Sequence, residues 1–367
     1  MRNNINGDVM RKYLIILLVI LFVSCTNENN KKNKDNEKID SIKEPKTEIL
    51  KELTEEDYIN NNVNELGEVP IMMYHGIYNL ANSDTKYTGG NVDKDGYQRT
   101  KEAFINDLEF YYKNGYRMIR LTDYIDGNID TELGYSPIII TFDDGLENCI
   151  KVTGLDENGN IIIDPNSAVG ILESFKRKYK DYNVTATFFI NGAIFNQEEY
   201  NESILNWLVN NGYDVGNHTY THVDFKKASI NETQNEVGKV YELLDKYIEG
   251  KYVNIIALPF GSPYNIDNPN MEYIFNTNYN NKNYNTKSAL RVGWKASESP
   301  FHKEFNPKFL KRIRAYDNNG TDFDIDFNFK LLSKNRYISD GFKDKVVIPK
   351  SYESYIGNSY NKKVIIY

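Results

Sequence analysis

The chain from residue 67 onward is predicted to fold as an α/β barrel. Short apolar runs with the length of strands alternate with segments of helical periodicity, which is typical of right-handed βαβ units around a parallel sheet. About 300 residues are available for this part, which suits one barrel. Two polar motifs also follow predicted strands directly, and this is where barrel enzymes carry their catalytic groups.

The strands are predicted from short apolar runs. Ser136–Phe142 is the clearest of them, and Val69–Tyr74 is a second run, closed by His75 and Gly76. Further strands are predicted at residues 116–121, 184–190, 213–216, 253–258, 289–294 and, as the last strand of the barrel, 346–349.

Helices are predicted between the strands, where apolar residues recur every three to four positions. Phe104, Leu108 and Tyr111 recur at this spacing in residues 101–114, and Gly115 follows as a cap. The same pattern predicts helices at residues 167–180, 202–211 and 229–248. A hairpin insertion is predicted at residues 154–165.

The N-terminal residues have the features of a secretion signal. Two cationic residues precede an apolar run, Tyr13–Val23, which is too short to cross a hydrocarbon core of about 30 Å but suits a signal peptide. Phe22–Cys25 resembles a bacterial lipoprotein cleavage box. We therefore expect residues 1–24 to be removed and Cys25 to be lipidated. The alternative is a free or buried cysteine after a chance apolar stretch.

This signal divides the rest of the chain into a tether and a barrel. Residues 25–66 are rich in Asn, Lys, Glu and Asp, and we predict a disordered acidic tether because they bury too little apolar surface to offset the entropy of folding. Residues 67–367 are predicted to form the barrel, with its core at about 136–332 and a C-terminal extension at about 333–367. We expect a monomer outside the cytoplasm, anchored to the bacterial membrane by its N-terminal lipid.

The composition excludes several classes of protein. With 40% hydrophobic residues and 29 tyrosines, the chain has ample surface for a core and is not wholly disordered. A net charge of -8 without a basic block argues against nucleic acid as a partner. Two cysteines are too few for a disulfide scaffold, and four histidines are few enough for each to be located individually.

The first polar motif is Thr141-Phe142-Asp143-Asp144-Gly145, directly after the clearest strand. One of two adjacent carboxylates can bind a cation while its neighbour takes a proton from water. The glycine permits the tight turn that holds the two side chains close together. For this motif alone, an ordinary acidic turn is the alternative.

The second motif is His218-Thr219-Tyr220-Thr221-His222, which follows the strand predicted at 213–216. Histidines at positions i and i+4 on one turn can bring both imidazoles to a single metal ion and leave positions for a carboxylate and water. Histidines packed in the core are the alternative. The polar, threonine-rich turn favours metal ligands.

Together the two motifs resemble those of the polysaccharide deacetylase family, the NodB-homology enzymes of carbohydrate esterase family 4. Met73-Tyr74-His75 is similar to the opening strand of extracellular members, and the resemblance extends over most of the chain from Val69 onward. It implies a distorted (β/α)7 barrel and a divalent metal ion, which would be Zn²⁺, Co²⁺, Mn²⁺ or Ni²⁺. It also implies removal of acetyl groups from glycans such as peptidoglycan or other N-acetylated polysaccharides.

The resemblance also implies a role for each motif residue. The metal ligands would be Asp144, His218 and His222. Asp143 would be the catalytic base. Leu258-Pro259-Phe260-Gly261 matches a proline-containing motif of the family, so the Phe260 N–H is the expected oxyanion donor. Substrate contacts are expected from Tyr220, Pro259, Gly261 and Trp294.

The chain departs from the family pattern at two positions. Ala257 stands where the family has an arginine that orients the base, and we expect Arg291 to serve instead, with a structural arginine as the alternative. No histidine follows His302, so the family histidine that protonates the leaving amine is missing near residues 346–349. His75, at a strand end on the catalytic face, is the expected substitute, whereas His302 is expected to be solvated.

Two functions of different classes are therefore predicted. The first is a metal-dependent polysaccharide deacetylase with an altered acid and an altered base-orienting group. The alternative is a catalytically impaired relative that binds glycans at the cell surface, motivated by the two departures and by the many tyrosines. An unrelated metallopeptidase is disfavoured because the chain has no His-Glu-x-x-His. Both metal hypotheses require the Asp pair and the His pair to converge in one cleft.

Overall fold

Seven parallel strands form a curled sheet in the computed structural model, which describes residues 52–367. In chain order they are β1 (Ile71–Tyr74), β2 (Ser136–Phe142), β3 (Thr187–Ile190), β4 (Asp214–Asn217), β5 (Ile255–Ala257), β6 (Ser288–Leu290) and β7 (Ile313–Arg314). Their spatial order is β6-β5-β4-β3-β2-β1-β7, and an eighth strand, Tyr116–Met118, pairs with the start of β2. The two ends meet because Leu290 of β6 forms a parallel bridge with Leu310, just before β7. This is the predicted distorted (β/α)7 barrel.

The strands form because their residues are apolar on both faces and many are β-branched. Alternate side chains point into the barrel or toward the surrounding helices. In β2, Ile139 packs in the barrel interior, whereas Ile138 and Ile140 pack in the layer beneath the helices. The same alternation places Thr141 and Asp143 on the interior face with Ile139.

Helices surround the barrel where the sequence predicts them. The four predicted helices are observed as Lys101–Lys113, Ala168–Lys178, Asn201–Asn210 and Ile230–Ile248. Three of them begin at a hydroxyl side chain that accepts a backbone N–H of the first turn, from Thr100, Ser167 and Ser229. The other described helices are Glu55–Asn60, Leu121–Ile125, Asn270–Phe275 and Ile325–Asn335.

Four two-stranded pairs lie outside the barrel in the described part of the chain. They are Ile77–Tyr78 with Arg99–Thr100, Val152–Leu155 with Ile161–Ile163, Asn276–Tyr279 with Lys282–Asn285, and Lys345–Ile348 with Lys363–Ile366. The second pair is the predicted hairpin. The prediction that residues 346–349 form the last barrel strand is wrong, because they pair with the C-terminal strand. The true last strand, β7, has a weak apolar signal because charged residues flank Ile313.

The folded part begins earlier than predicted. Of the tether predicted at 25–66, residues 52–66 are described, and they include the helix Glu55–Asn60. Tyr58 and Val63 are buried and pack with Val347 in a small apolar cluster. A polar segment is ordered here because a few apolar side chains dock on a distant part of the chain, which local composition does not reveal.

Several predictions for the N-terminus lie outside the described residues. These are the signal peptide at 1–24, the lipidation site Cys25 and the part of the tether before residue 52. Within residues 52–367, no helix combines the length and the apolar character needed to span a membrane. Lipid anchoring therefore stays a prediction.

Glu65 holds the N-terminal segment in place through a buried acidic cluster. Its carboxyl oxygens accept hydrogen bonds from Tyr337 Oη and from the Val347 N–H, both at 2.8 Å. Burial, together with the nearby charge of Asp340, raises the pKa of Glu65 to about 8. Lys345 lies 3.2 Å from the carboxylate of Asp340. We therefore expect Glu65 to be protonated in the folded protein at neutral pH.

We expect the stability of the protein to fall as the pH rises from about 5 to 8. The folded state keeps the proton of Glu65 up to about pH 8, whereas an unfolded chain releases it near 4.5, the ordinary pKa of this side chain. The stabilising contribution is therefore complete below pH 4.5 and is lost as the pH approaches 8, at a rate of at most about 1.4 kcal/mol per pH unit. Urea unfolding at several pH values measures this slope.

The variant Glu65→Gln carries a neutral isostere of the protonated side chain and is expected to flatten the slope. The matched control is Glu304→Gln at an exposed position, which should keep the slope of the wild type. If Glu65→Gln keeps the slope as well, another group is responsible for it.

Candidate metal centre

The two polar motifs meet at the carboxyl ends of β2 and β4. Asp143 and Asp144 directly follow β2, and His218 directly follows β4. Because the strands are parallel, all three lie at the same edge of the barrel. They line one cleft of about 460 Å³, together with His222. The convergence that the metal hypotheses require is therefore present.

Asp144, His218 and His222 bring three ligand atoms together. The Oδ1 atom of Asp144 lies 3.1 Å from His218 Nε2 and 3.5 Å from His222 Nε2. All three ligand atoms lie within 4.8 Å of one another. Two imidazole nitrogens and one carboxylate oxygen are donors that suit Zn²⁺ and also Co²⁺, Mn²⁺ or Ni²⁺. The residues fit a divalent metal ion, and three protein ligands leave a position for water or substrate.

Left-handed backbone conformations aim these ligands at one point. Asp144, Thr219 and His222 have φ values of 71°, 64° and 61°, in a region that non-glycine residues rarely adopt. Such strain persists only where the surrounding structure holds it. Asn217 does this for the histidine turn, since its side chain accepts the Thr219 N–H at 2.8 Å and donates to the Val237 carbonyl at 2.9 Å.

A backbone carbonyl fixes the tautomer of His218. The Nδ1 atom lies 2.8 Å from the carbonyl oxygen of Ala257. A carbonyl only accepts hydrogen bonds, so we assign a proton to Nδ1, and Nε2 is the nitrogen that would bind a metal ion beside Asp144. Burial opposes protonation of this ring, but the charges of Asp143 and Asp144 raise the pKa of His218 overall. Burial and the charge of His218 lower the pKa of His222.

Asp143 is held by a buried arginine. Nη1 and Nη2 of Arg312 donate to Oδ1 and Oδ2 of Asp143 at 2.7 and 2.6 Å. The two side chains are 0% and 1% exposed. Burial favours the protonated acid, but the charges of Arg312 and His218 outweigh it and lower the pKa of Asp143. Asp143 is therefore an ionised carboxylate in a fixed orientation.

The prediction that Arg291 orients Asp143 is wrong, because Arg312 holds this carboxylate. The Arg291 guanidinium lies 4.3 Å from the ring centroid of Phe309, and only its main-chain carbonyl reaches Arg312, whose Nε donates to it at 2.7 Å. A signal for Arg312 was present in the sequence. Arg312 and Arg314 alternate with Ile313, and the two-residue period of a strand places both arginines on one face.

His75 follows β1 and lies in the same cleft. Its Nδ1 atom is buried and has no hydrogen-bond partner within residues 52–367. Tyr97 packs edge-on against the imidazole, with 5.1 Å between ring centroids. Burial lowers the pKa of His75, although the charges of Asp143 and Asp144 oppose this.

Phe260 forms another wall of the cleft. Its ring lies 4.6 Å from that of His222, and its backbone has a φ of 57°. Pro259 and Gly261 on either side of it are buried. Gly261 is required here, since its φ is 65° and a Cβ atom would lie 2.8 Å from the Val292 nitrogen.

Three other residues considered in the sequence lie outside the lining of the cleft. Trp294 is exposed beside Arg291, 4.8 Å from its guanidinium. Tyr220 is exposed and lies under the ammonium group of Lys239. His302 is half-buried rather than solvated and stacks on the ring of Tyr355. The predicted substrate contacts of Tyr220 and Trp294 stay predictions.

The part of the chain that contains both polar motifs matches a model of a known protein family. Residues 131–273 match the model of the polysaccharide deacetylase family. This stretch is similar to polysaccharide deacetylases. The matched range contains β2 to β5 and therefore Asp143 and the three metal-site residues. His75 and Arg312 lie outside the range that matches the deacetylase model.

Similar proteins are known for parts of the chain. The peptidoglycan-N-acetylglucosamine deacetylase of Bacillus cereus is 36% identical over 84 residues, which cover 23% of this chain and 29% of that protein. The Streptococcus pyogenes deacetylase PplD, solved in complex with acetate, is 18% identical with a TM-score of 0.49 and covers 74% of this chain and 99% of its own. A de-N-acetylase from Aggregatibacter actinomycetemcomitans is 11% identical with a TM-score of 0.43, over 67% of this chain and 94% of its own.

Removing one imidazole ligand is expected to weaken metal binding. His218→Ala leaves two ligand atoms in place of three, and we expect its affinity for Zn²⁺ to fall at least about tenfold. Calorimetric titration of the chelator-stripped protein measures this affinity. His302→Ala removes an imidazole far from the trio in sequence and is the matched control, which should bind Zn²⁺ like the wild type. Equal affinities in the two variants would exclude the trio as the metal site.

Breaking the buried ion pair is expected to destabilise the fold. Arg312→Met leaves the Asp143 carboxylate buried without its partner, and we expect the free energy of unfolding to fall by about 3–5 kcal/mol. Urea unfolding measures the loss. The double variant Asp143→Asn/Arg312→Met has no uncompensated charge and should recover part of that loss. A single variant as stable as the wild type would show that the pair contributes nothing to the fold.

Proposed function

We propose that this chain is a metal-dependent hydrolase that removes acetyl groups from N-acetylhexosamine units of cell-wall or extracellular glycans. The observation that carries the proposal is one cleft in which an ionised, fixed Asp143 lies beside the trio of Asp144, His218 and His222. The match to the deacetylase model supports the class of reaction, which is hydrolysis of a carbon–nitrogen bond. Peptidoglycan is the first glycan to test.

The first half of the reaction needs a base and an activated water. A divalent ion in the trio would supply Lewis acidity, which lowers the pKa of water and polarises the acetyl carbonyl. Asp143 accepts the proton of the attacking water, because each of its oxygens keeps a lone pair beyond the one bonded to Arg312. Arg312 keeps the carboxylate ionised and oriented before substrate arrives.

The second half of the reaction needs an oxyanion donor and an acid. After attack by water, the former carbonyl oxygen carries negative charge. We assign its stabilisation to the Phe260 N–H, because Phe260 lines the cleft. The carbon–nitrogen bond then breaks as the nitrogen gains a proton. We assign the delivery of this proton to His75, because its side chain lines the same cleft as Asp143. Acetate and the free amine of the sugar are the products.

We also propose that the protein works outside the cytoplasm as a lipid-anchored monomer. The cationic start, the apolar run and the Ser24-Cys25 pair support a lipidated Cys25. A glycan of the cell wall would then lie within reach of the cleft.

A glycan-binding protein without turnover is the second candidate. Exposed aromatic side chains near the cleft favour it, since Phe260 is 53% exposed and Tyr264 is 58% exposed. The missing motif arginine, which also motivated this hypothesis, is no longer an argument for it because Arg312 holds Asp143.

The decisive measurement is release of acetate. The wild-type protein loaded with Zn²⁺ or Co²⁺ is expected to release acetate from N-acetylglucosamine oligomers and from peptidoglycan. Asp143→Asn removes the proton acceptor and should lower the rate at least about 100-fold. A coupled enzymatic assay for acetate measures both rates.

The matched control is Asp267→Asn, which changes an exposed carboxylate and should retain the rate of the wild type. Thermal melts establish that each variant is folded. Equal release by the wild type and Asp143→Asn would refute the catalytic proposal. Glycan binding without any release, with each of the four metals, would favour the second candidate.

A further inference from the structure

We propose that Arg291 forms a subsite for an anionic substituent of the glycan, on a shelf made by the rings of Tyr264, Trp294 and Phe309. The proposal rests on the proposed function, because it assigns the class of sugar that the same cleft accepts. The ligand would be an N-acetylated glycan in which a unit next to the reacting sugar carries a carboxylate or a phosphate.

The shelf adjoins the metal cleft. Arg291 follows β6 directly, and the next residue, Val292, lines the cleft. Phe260 lines the cleft as well, and the residue after it, Gly261, packs closely on the backbone of Val292. We infer that the unit next to a sugar bound at the metal centre extends toward Arg291, whose chain neighbour Val292 lines the cleft.

Arg291 has no anionic partner in the described part of the chain. Its guanidinium is surrounded by rings instead, 4.3 Å from the centroid of Phe309, 4.8 Å from Trp294 and 5.8 Å from Tyr264. Its Nε atom is buried and donates to nothing within residues 52–367. Burial lowers the pKa of Arg291, and no carboxylate opposes this. Of the five N–H donors of a guanidinium, the four on Nη1 and Nη2 make no hydrogen bond within residues 52–367 and are the ones that a ligand would use.

The neighbouring arginine shows how unusual this is. Arg312 lies one strand away, and its guanidinium makes four hydrogen bonds, to Asp143, Thr141 and the Arg291 carbonyl. The chain as a whole has 52 acidic residues and 44 basic ones, so a carboxylate partner for Arg291 was readily available. A half-buried cation that is left unpaired beside a catalytic cleft is therefore a candidate for ligand recognition.

The chemistry of the shelf fits an acidic sugar. A guanidinium binds carboxylates and phosphates through two parallel hydrogen bonds, and such bonds strengthen where water is partly excluded. Tyr264 is 58% exposed and Trp294 is 37% exposed, so aromatic faces are open beside the charge. An apolar ring face next to a cation matches a pyranose that carries an acidic group.

Binding without turnover tests the proposal directly. The full chain with Asp143→Asn, loaded with Zn²⁺, is titrated by calorimetry with three tetrasaccharides. One is neutral and contains only N-acetylglucosamine, one alternates N-acetylglucosamine with N-acetylmuramic acid and so carries carboxylates, and one carries a phosphate. The same titrations are repeated after adding Arg291→Gln, Arg291→Lys or Arg336→Gln.

An acidic tetrasaccharide is expected to bind about tenfold more tightly than the neutral one, which corresponds to about 1.4 kcal/mol. Arg291→Gln should reduce this ratio to about one, and Arg291→Lys should retain part of it because the charge remains without the fork of donors. Arg336 also stacks on a tyrosine, but it lines a different cavity, so Arg336→Gln should leave the ratio unchanged.

The two acidic ligands distinguish the sources of the anion. Loss of preference only for the carboxylate ligand in Arg291→Gln assigns the subsite to an acidic sugar, and loss only for the phosphate ligand assigns it to a phosphorylated glycan. The proposal is overturned if Arg291→Gln alters binding of all three ligands by the same factor or of none. Failure of the proposed function is a separate result, because it is read from acetate release by the wild-type chain.

Discussion

The buried ion pair of Asp143 and Arg312 is the interaction on which both the barrel and its site depend. Two charges that are almost fully removed from water are tolerated only if each satisfies the other, and here two parallel hydrogen bonds do so. The pair joins the residue after β2 to the residue before β7, and β1 lies between these strands. Because β7 pairs with β1 through only two residues, the pair helps to fix the strand that closes the barrel. Closure of the barrel and orientation of the Asp143 carboxylate are therefore coupled.

The three residues of the candidate metal site are also held in a fixed orientation by the surrounding structure. Three left-handed backbone conformations and a histidine ring locked by the Ala257 carbonyl are costly local features, and the parallel strands on either side hold them in place. Ala257 occupies the position at which the resemblance leads one to expect an arginine. Its methyl side chain cannot form an ion pair with Asp143, but its carbonyl fixes the imidazole of His218. A departure in sequence can thus leave the geometry intact when a main-chain atom performs the task.

Much of the fold follows from the sequence because its determinants are local. The long helices and β2 are encoded by periodicity and caps within each segment, and the two motifs converge because carboxyl ends of parallel strands share one edge. Arg312 was missed because its role depends on which strands are neighbours in space, and β7 is a short strand flanked by charges. The ordering of Glu65 was missed for a related reason, since its partners Tyr337 and Val347 are far away in sequence. Local patterns predict elements, whereas burial of a charged residue depends on partners that only the closed fold provides.

The two arginines near the cleft show why residue type alone does not assign a role. The side-chain donors of Arg312 bond to other residues of the protein, so Arg312 can position Asp143 but has few donors free for a ligand. The side-chain donors of Arg291 bond to no carboxylate in the described structure, and aromatic rings partly shield its guanidinium from water. An ion pair inside the barrel stabilises structure because both partners are fixed, whereas an unpaired cation at the rim gains its partner only when a ligand arrives. We therefore expect the unpaired Arg291 to select the glycan. The paired Arg312 is expected to act on the reaction by positioning Asp143.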